Sequence, residues 1–197
     1  MAFTRHKPYE LTTHDGKRVD WRTKAMLLEM EDRLGYTLTV HQGSYNAGGV
    51  SASAGTHDGG GAVDLSSYDW ENKVTVGRRV GFAMWRRETI PGLWNEHIHG
   101  IDKGNQRLSA GARDQVAQYE AGTDGLRGRA PDTFPVHPST VFDYAEWQRR
   151  QSLLLRLRRL VRRREAAIVR RKAAQAEVVE TTSAIDKIRD ALRRPSS

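Results

Sequence analysis

The sequence predicts an α+β fold, a small antiparallel sheet with flanking helices, followed by a long basic helix or coiled coil. In the first two thirds of the chain, short apolar segments of strand periodicity alternate with segments of helical periodicity. Prolines then cluster near residue 135, and about fifty residues without Gly or Pro follow. The predicted organisation is a domain over 1–129, a linker over 130–141 and a helical tail over 142–197.

The elements of the first domain follow from apolar spacing. Strands are predicted over 36–40, 62–65 and 93–101, and helices over 19–34, 71–87 and 109–119. Ser109 is a residue type that caps helix N-termini, which supports the start of the last of these helices. Hydrophobic residues make up only 38% of the 197-residue chain, which is lean for one compact fold of this length. We therefore expect part of the chain to lie outside a core.

The basic charge of the protein is concentrated in the tail. Residues 145–197 contain 15 Lys and Arg against 6 Asp and Glu, whereas the net charge of the whole chain is +8. Such a tail predicts an acidic partner, and an anionic cell-wall polymer or a membrane surface fits best. Nucleic-acid binding would depend on charge alone, because Trp147 is the only aromatic residue after Tyr144.

An apolar seam follows the tail at heptad spacing, although arginines and other polar residues interrupt it. Its members are Leu154, Leu157, Val161, Ile168, Val178, Ile185 and Leu192. The pattern leaves two alternatives open. The tail forms either a charged helix or helical hairpin that packs on itself, or a coil that associates with a second copy.

Composition excludes several classes of function. The chain has no cysteine, which excludes disulfide scaffolds and cysteine nucleophiles and leaves His, Asp and Glu as metal ligands. No apolar run approaches the roughly 20 residues needed to span a bilayer. The first 18 residues lack the apolar stretch of a secretory signal peptide. We therefore expect a protein that is not exported by a signal of its own.

Two short segments contain residues suited to metal chemistry. On the strand over 93–101, His97 and His99 face the same side, because side chains alternate along a strand. By themselves they fit either metal binding or ordinary hydrogen bonding. Earlier in the chain, His57 and Asp64 flank a run of three glycines that allows a tight turn. Together with one more histidine, these two residues would form a three-ligand zinc site with an open fourth position.

Other meanings of the glycine-rich segment have little support. It is not followed by Lys-Ser/Thr and does not have the GxGxxG spacing of nucleotide-binding loops. The GxSxG pattern of serine hydrolases is also absent from the sequence. A zinc site beside a glutamate would instead support hydrolysis, because zinc acidifies a bound water and a carboxylate can accept its proton.

The string SAGTHDGGGAVD over 53–64, followed by WNEHIH over 94–99, resembles the zinc D-Ala-D-Ala carboxypeptidase and L-alanyl-D-glutamate endopeptidase family. These enzymes hydrolyse the stem peptides of bacterial peptidoglycan, and many are bacteriophage endolysins. The resemblance implies that His57, Asp64 and His99 bind zinc. It also implies that Glu96 is the general base and that His97 helps to stabilise the tetrahedral intermediate.

The resemblance carries further expectations about the substrate and the biological role. Gln42 and Ser53 are the expected substrate-binding residues, and the scissile bond is either L-Ala–D-Glu or one that contains D-Ala. An endolysin accumulates in the host cytoplasm and reaches the cell wall after a holin opens the membrane. The alternative is a virion-associated or wall-binding structural protein with a non-catalytic zinc domain and a helical tail for oligomerisation.

Overall fold

The computed structural model describes residues 4–47 and 55–193, and of residues 191–193 it describes the backbone only. The chain divides into two compact units, one over Thr4–Trp147 and a second that contains the chain from Gln148 onward. The predicted α+β class is confirmed, because helices accompany two antiparallel sheets in the first unit and one long helix ends the chain.

The elements occur in a mixed order along the chain. The strands are β1 (Leu11–His14), β2 (Lys17–Asp20), β3 (Val40–Gln42), β4 (Ala62–Leu65), β5 (Phe82–Arg87) and β6 (His97–Asp102). The helices are α1 (Trp21–Leu34), α2 (Trp70–Val80), α3 (Ala110–Glu120) and α4 (Tyr144–Arg193), and one turn of 3-10 helix spans Thr56–Asp58. β1 and β2 form a hairpin, and the other strands form an antiparallel sheet in the order β3-β4-β6-β5.

The core of the first unit lies between the four-stranded sheet and the helices packed on it. Met26, Leu27 and Met30 of α1 are fully buried, as are Val63 and Leu65 of β4. Asp20 caps α1, because its carboxylate accepts a hydrogen bond of 2.8 Å from the Thr23 amide. Ser109 caps α3 in the same way, as predicted. The two inner strands of the sheet, β4 and β6, are thus paired on both sides.

The prediction of one helix over 71–87 is wrong in its second half. The helix α2 ends at Val80, since Gly81 has a φ of 126°, and the chain then enters the strand β5. Phe82, Ala83 and Met84 are fully buried there on both faces of the sheet, which removes the alternation that identifies a strand. The strands predicted over 36–40 and 93–101 are also shorter and shifted in the structure, to β3 and β6.

The proline-rich segment, predicted as a linker over 130–141, packs within the first unit. The buried guanidinium of Arg78 donates hydrogen bonds to the Val136 carbonyl at 2.9 Å and to Asp132 at 2.5 Å. Lys103 donates to the Pro138 carbonyl at 2.8 Å. Proline lacks an amide donor, but backbone carbonyls in a proline-rich segment still accept hydrogen bonds from cations. The unit therefore extends to Trp147, whose side chain is buried.

The helix α4 is continuous from Tyr144 to Arg193, so the tail does not fold into a helical hairpin. Fifty residues of helix correspond to about 75 Å. The described members of the apolar seam, from Leu154 to Ile185, are exposed on it. None of the helices in the described part of the chain is long and apolar enough to cross a membrane.

Candidate metal centre

Two antiparallel strands and one helical turn bring three predicted metal ligands together. Asp64 on β4 lies directly opposite His99 on β6 in the antiparallel register. His57 lies in the 3-10 turn that precedes β4. In the loop between His57 and Asp64, a Cβ atom at Gly60 would lie 2.5 Å from the Tyr45 hydroxyl. The chain can therefore pass this close to Tyr45 only with glycine at this position. The glycine run thus returns the chain from His57 to Asp64.

The three side chains form a compact group that could hold a metal ion. Their ligand atoms all lie within 4.8 Å of one another. The Oδ2 atom of Asp64 is 3.3 Å from Nε2 of His57, and its Oδ1 atom is 2.7 Å from Nδ1 of His99. Ligand atoms around a tetrahedral ion with bonds of about 2.0–2.1 Å are about 3.3 Å apart. The separation between His57 and Asp64 therefore matches an ion between them.

The tautomer of His57 directs a lone pair into this group. Its Nδ1 lies 2.8 Å from the Gly43 carbonyl, which can only accept, so Nδ1 carries the proton. The Nε2 atom of the neutral ring is then bare, and it is buried without a hydrogen-bond partner among the described residues. A backbone carbonyl that fixes the ring in this way is the usual outer contact of a metal-binding histidine. The residues present therefore fit a bound cation.

The electrostatics of the group favour an ionised carboxylate. Burial alone would raise the pKa of Asp64, but the neighbouring imidazoles of His57 and His99 hold that pKa far below its usual range. Burial also acts to lower the pKa of His57, yet the contact with Asp64 raises it. Burial lowers the pKa of His99, and the neighbouring charges of His57 and Arg87 act in the same direction. The group therefore consists of the ionised carboxylate of Asp64 between the imidazoles of His57 and His99.

His97 lies beside this group, two residues before His99 on the same strand. Its Nδ1 donates to the Asn95 carbonyl over 2.7 Å, and its Nε2 is 3.8 Å from Oδ1 of Asp64. The structure therefore places His97 on the same face as the candidate ligands, as the alternation along the strand predicts. Its Nε2 faces the site and could donate a hydrogen bond there when the ring is protonated.

Glu96 lies just before β6 and is held by an arginine. Its Oε1 accepts hydrogen bonds from Nε and Nη2 of Arg86, at 2.6 and 2.5 Å. Its amide donates to the Thr89 hydroxyl over 3.0 Å. Both contacts fix the carboxylate at the border of a cavity of about 490 Å³ that also contains the three candidate ligands. Glu96 therefore borders the same cavity as the three candidate ligands, and its role as general base stays a prediction.

The two predicted substrate-binding residues differ in what the structure describes. Gln42, at the end of β3, borders the cavity, and its buried Nε2 has no hydrogen-bond partner within the described ranges. Ser53 lies outside the described residues. Gln42 thus has an unpaired donor among the described residues beside the cavity, and its substrate-binding role stays a prediction.

Sequence reasoning missed two residues that border the cavity. Gln115 on α3 lies 2.8 Å from Nε2 of His99 through its Oε1 and orients that ring. Arg87 ends β5, and its side chain is buried against the ring of Trp85. Arg87 was missed because its segment was predicted as helix, whereas in the structure it ends the strand β5 and lies opposite His97. No sequence pattern indicates Gln115, because its contact with the strand depends on how α3 packs.

No family model matches the chain, and neither the curated proteins nor the solved structures compared with it gave a match. The interpretation of the site therefore depends on its own chemistry. That chemistry consists of a His57–Asp64–His99 group able to hold a cation, with a carboxylate and a further imidazole at the same cavity.

Proposed function

We propose that the protein is a zinc metallopeptidase that hydrolyses a peptide bond in bacterial peptidoglycan stem peptides. The observation that carries the proposal is the bare, buried Nε2 of His57, which faces the ionised Asp64 beside His99 in an open cavity. Two imidazoles and one carboxylate are a ligand set typical of catalytic zinc. The resemblance of the two motifs to peptidoglycan peptidases supports a peptide as the substrate.

The residues of the chain have separate roles in this proposal. Zinc bound by His57, Asp64 and His99 would supply a Lewis acid and lower the pKa of a bound water. The Gly43 carbonyl and the Gln115 amide orient the two imidazoles.

The acid–base steps fall to the two residues that precede His99 in the second motif. Glu96 accepts the proton of the attacking water and delivers it to the leaving amine, while Arg86 keeps its carboxylate in place. His97, protonated at Nε2, donates a hydrogen bond to the oxyanion that develops on the attacked carbonyl.

The tail suggests where the reaction takes place. Exposed arginine clusters on α4, such as Arg162, Arg163 and Arg164, would attract an anionic wall polymer or a membrane surface. A peptidase site joined to a wall-binding segment suits a phage endolysin, which acts on the wall after release from the host cytoplasm. The proposal covers cleavage at L-Ala–D-Glu or at a bond that contains D-Ala.

The decisive experiment measures metal content and wall hydrolysis in the same preparations. Wild-type protein should contain one zinc per chain and release peptides from purified peptidoglycan, and mass spectrometry of the products identifies the bond. His57→Ala should lose both zinc and activity. His41→Ala is the matched control, because His41 borders the same cavity but is not in the candidate group. Stoichiometric zinc in His57→Ala, or full activity after chelation, would contradict the proposal.

One observation favours a second candidate function. The Oε1 atom of Glu96 already accepts two hydrogen bonds from Arg86, as a purely structural carboxylate would. A virion or wall-binding structural protein would use the metal group for stability and α4 for assembly. Such a protein would occur in purified particles and would release no peptide from peptidoglycan, which distinguishes the two candidates.

A further inference from the structure

A buried arginine at the cavity has an unused donor. The side chain of Arg87 is 6% exposed, and its Nη1 donates to the Asp124 carbonyl over 2.6 Å. Its Nη2 has no hydrogen-bond partner among the described residues. No carboxylate within those residues makes an ion pair with it, although arginine is the residue best suited to bind one with two parallel hydrogen bonds. Burying a guanidinium that has no paired anion costs free energy, unless a bound ligand supplies that anion.

The loop that follows α3 leaves room beside this donor. Gly125 has a φ of 71° and borders the cavity next to Arg87. A Cβ atom there would lie 3.1 Å from Nη2 of Arg87 and 2.9 Å from the ring of Trp85. Glycine thus lets the loop pass close to the guanidinium, where a larger residue would press on Nη2. Gly125 and Arg87 therefore lie against each other at the border of the cavity.

The position of Arg87 is fixed relative to the metal group. Its guanidinium lies over the Trp85 ring at 5.0 Å, and that ring stacks at 6.4 Å on the ring of His99. Along the sheet, Arg87 is the register partner of His97. The exposed Arg127 borders the same cavity. A substrate at the candidate metal ligands would therefore meet a second, anion-binding subsite on the β5 side.

We propose that Arg87 binds a carboxylate of the substrate and so determines which peptide the cavity accepts. This inference rests on the proposed peptidase function and deepens it, because it requires a peptide that carries a free carboxylate close to the scissile bond. Two carboxylates of a stem peptide have this chemistry, that of its D-Glu residue and that of its C-terminus. Arg87 is a binding residue in this proposal and takes no part in proton transfer.

The test measures binding of synthetic stem peptides to the full-length, zinc-loaded protein by calorimetry. Three peptides are compared, one with both carboxylates free, one amidated at D-Glu and one amidated at the C-terminus. Wild-type protein should bind one amidated peptide about 10- to 100-fold more weakly than the free peptide, the usual effect of losing a charge-assisted pair. The amide that causes the loss identifies which carboxylate Arg87 binds.

Variants assign this discrimination to Arg87. Arg87→Met should bind all three peptides equally weakly, whereas Arg87→Lys, which keeps the charge but not the two parallel donors, should recover part of the discrimination. Arg127→Met is the matched control at the same cavity, and its discrimination should stay within about threefold of wild type, as expected for an exposed cation. Zinc content and circular dichroism of each variant show whether the fold is kept.

The outcomes separate this inference from the proposed function. Equal binding of all three peptides by wild-type protein would overturn the role of Arg87, even if every variant failed to fold. Undiminished discrimination by Arg87→Met would also overturn it. If the free and amidated peptides are bound and hydrolysed equally well, the peptidase proposal is supported and the role of Arg87 is contradicted. If they bind with the expected discrimination but are never cleaved, the subsite stands and the peptidase proposal falls.

Discussion

The unit over Thr4–Trp147 buries several of its arginines, whereas α4 exposes its arginines from Arg156 to Arg189. Arg78 is fully buried and donates to two backbone carbonyls and to Asp132. In α4, Arg158 and its neighbours face solvent. The same residue type therefore stabilises the fold in one region and supplies a diffuse positive charge in the other. Four sets of substitutions test this difference, from the largest expected effect to the smallest.

The largest effect is expected where an arginine of the first unit positions a carboxylate. Glu96→Gln should lower the rate of peptide hydrolysis by about 10²- to 10⁴-fold, because the amide cannot accept the proton of the attacking water. Zinc content should be unchanged. Glu88→Gln is the control, since Glu88 also lies near Arg86, at 3.8 Å, but is 81% exposed. Wild-type hydrolysis by Glu96→Gln would remove Glu96 from the mechanism.

The second effect concerns stability. Arg78→Met should lower the free energy of unfolding by about 3–5 kcal/mol, because it leaves the buried carboxylate of Asp132 without its cation. Arg158→Met, on the exposed helix, should change it by less than about 0.5 kcal/mol. Urea unfolding followed by tryptophan fluorescence measures both. Similar values for the two variants would show that residues 130–147 contribute little to the first unit.

The third effect concerns the charge of the helix. Replacing Arg162, Arg163 and Arg164 together by Gln should weaken binding to isolated cell walls by about 100-fold at low salt, since each basic residue near an anionic surface contributes roughly 1 kcal/mol. The loss should shrink at about 1 M salt, where the Debye length is about 3 Å. Glu165→Gln, in the same turn, should not weaken binding. Salt-independent binding would contradict an electrostatic role for α4.

The smallest effect is expected at the apolar seam. Leu157→Ala removes a side chain that is 56% exposed, so it should change the free energy of unfolding by less than about 0.5 kcal/mol. Sedimentation at several protein concentrations provides the second measurement. A loss of stability that grows with protein concentration would show instead that the seam pairs with a second copy, as the heptad spacing allows.

The two regions also differ in how well the sequence anticipates them. The tail was predicted as a long helix, and α4 spans Tyr144–Arg193, because Arg, Ala, Leu, Glu and Gln favour helix through local interactions. The helix predicted over 71–87 was wrong beyond Val80, because the buried strand β5 shows no alternation. Sheet burial overrode the local pattern at that point.

The candidate metal group was accessible from the sequence for a simple reason. His57 and Asp64 are separated by glycines that constrain the path of the chain, and His97 and His99 share a strand face through alternation. These are short-range rules, and they identify the candidate ligands within each of the two segments. The structure adds the pairing of β4 with β6, which places Asp64 opposite His99.

By itself, the sequence determined the α+β class, the basic helix and the residue types of the metal group, since propensity, periodicity and charge act over a few neighbouring residues. Only the tertiary structure decided that residues 130–147 belong to the first unit and that Arg87 faces the cavity with a free donor. Both depend on contacts between segments far apart in the chain. Arg78 donates a hydrogen bond to the Val136 carbonyl, and Arg87 donates one to the Asp124 carbonyl. No local sequence pattern determines which distant carbonyl a buried guanidinium binds.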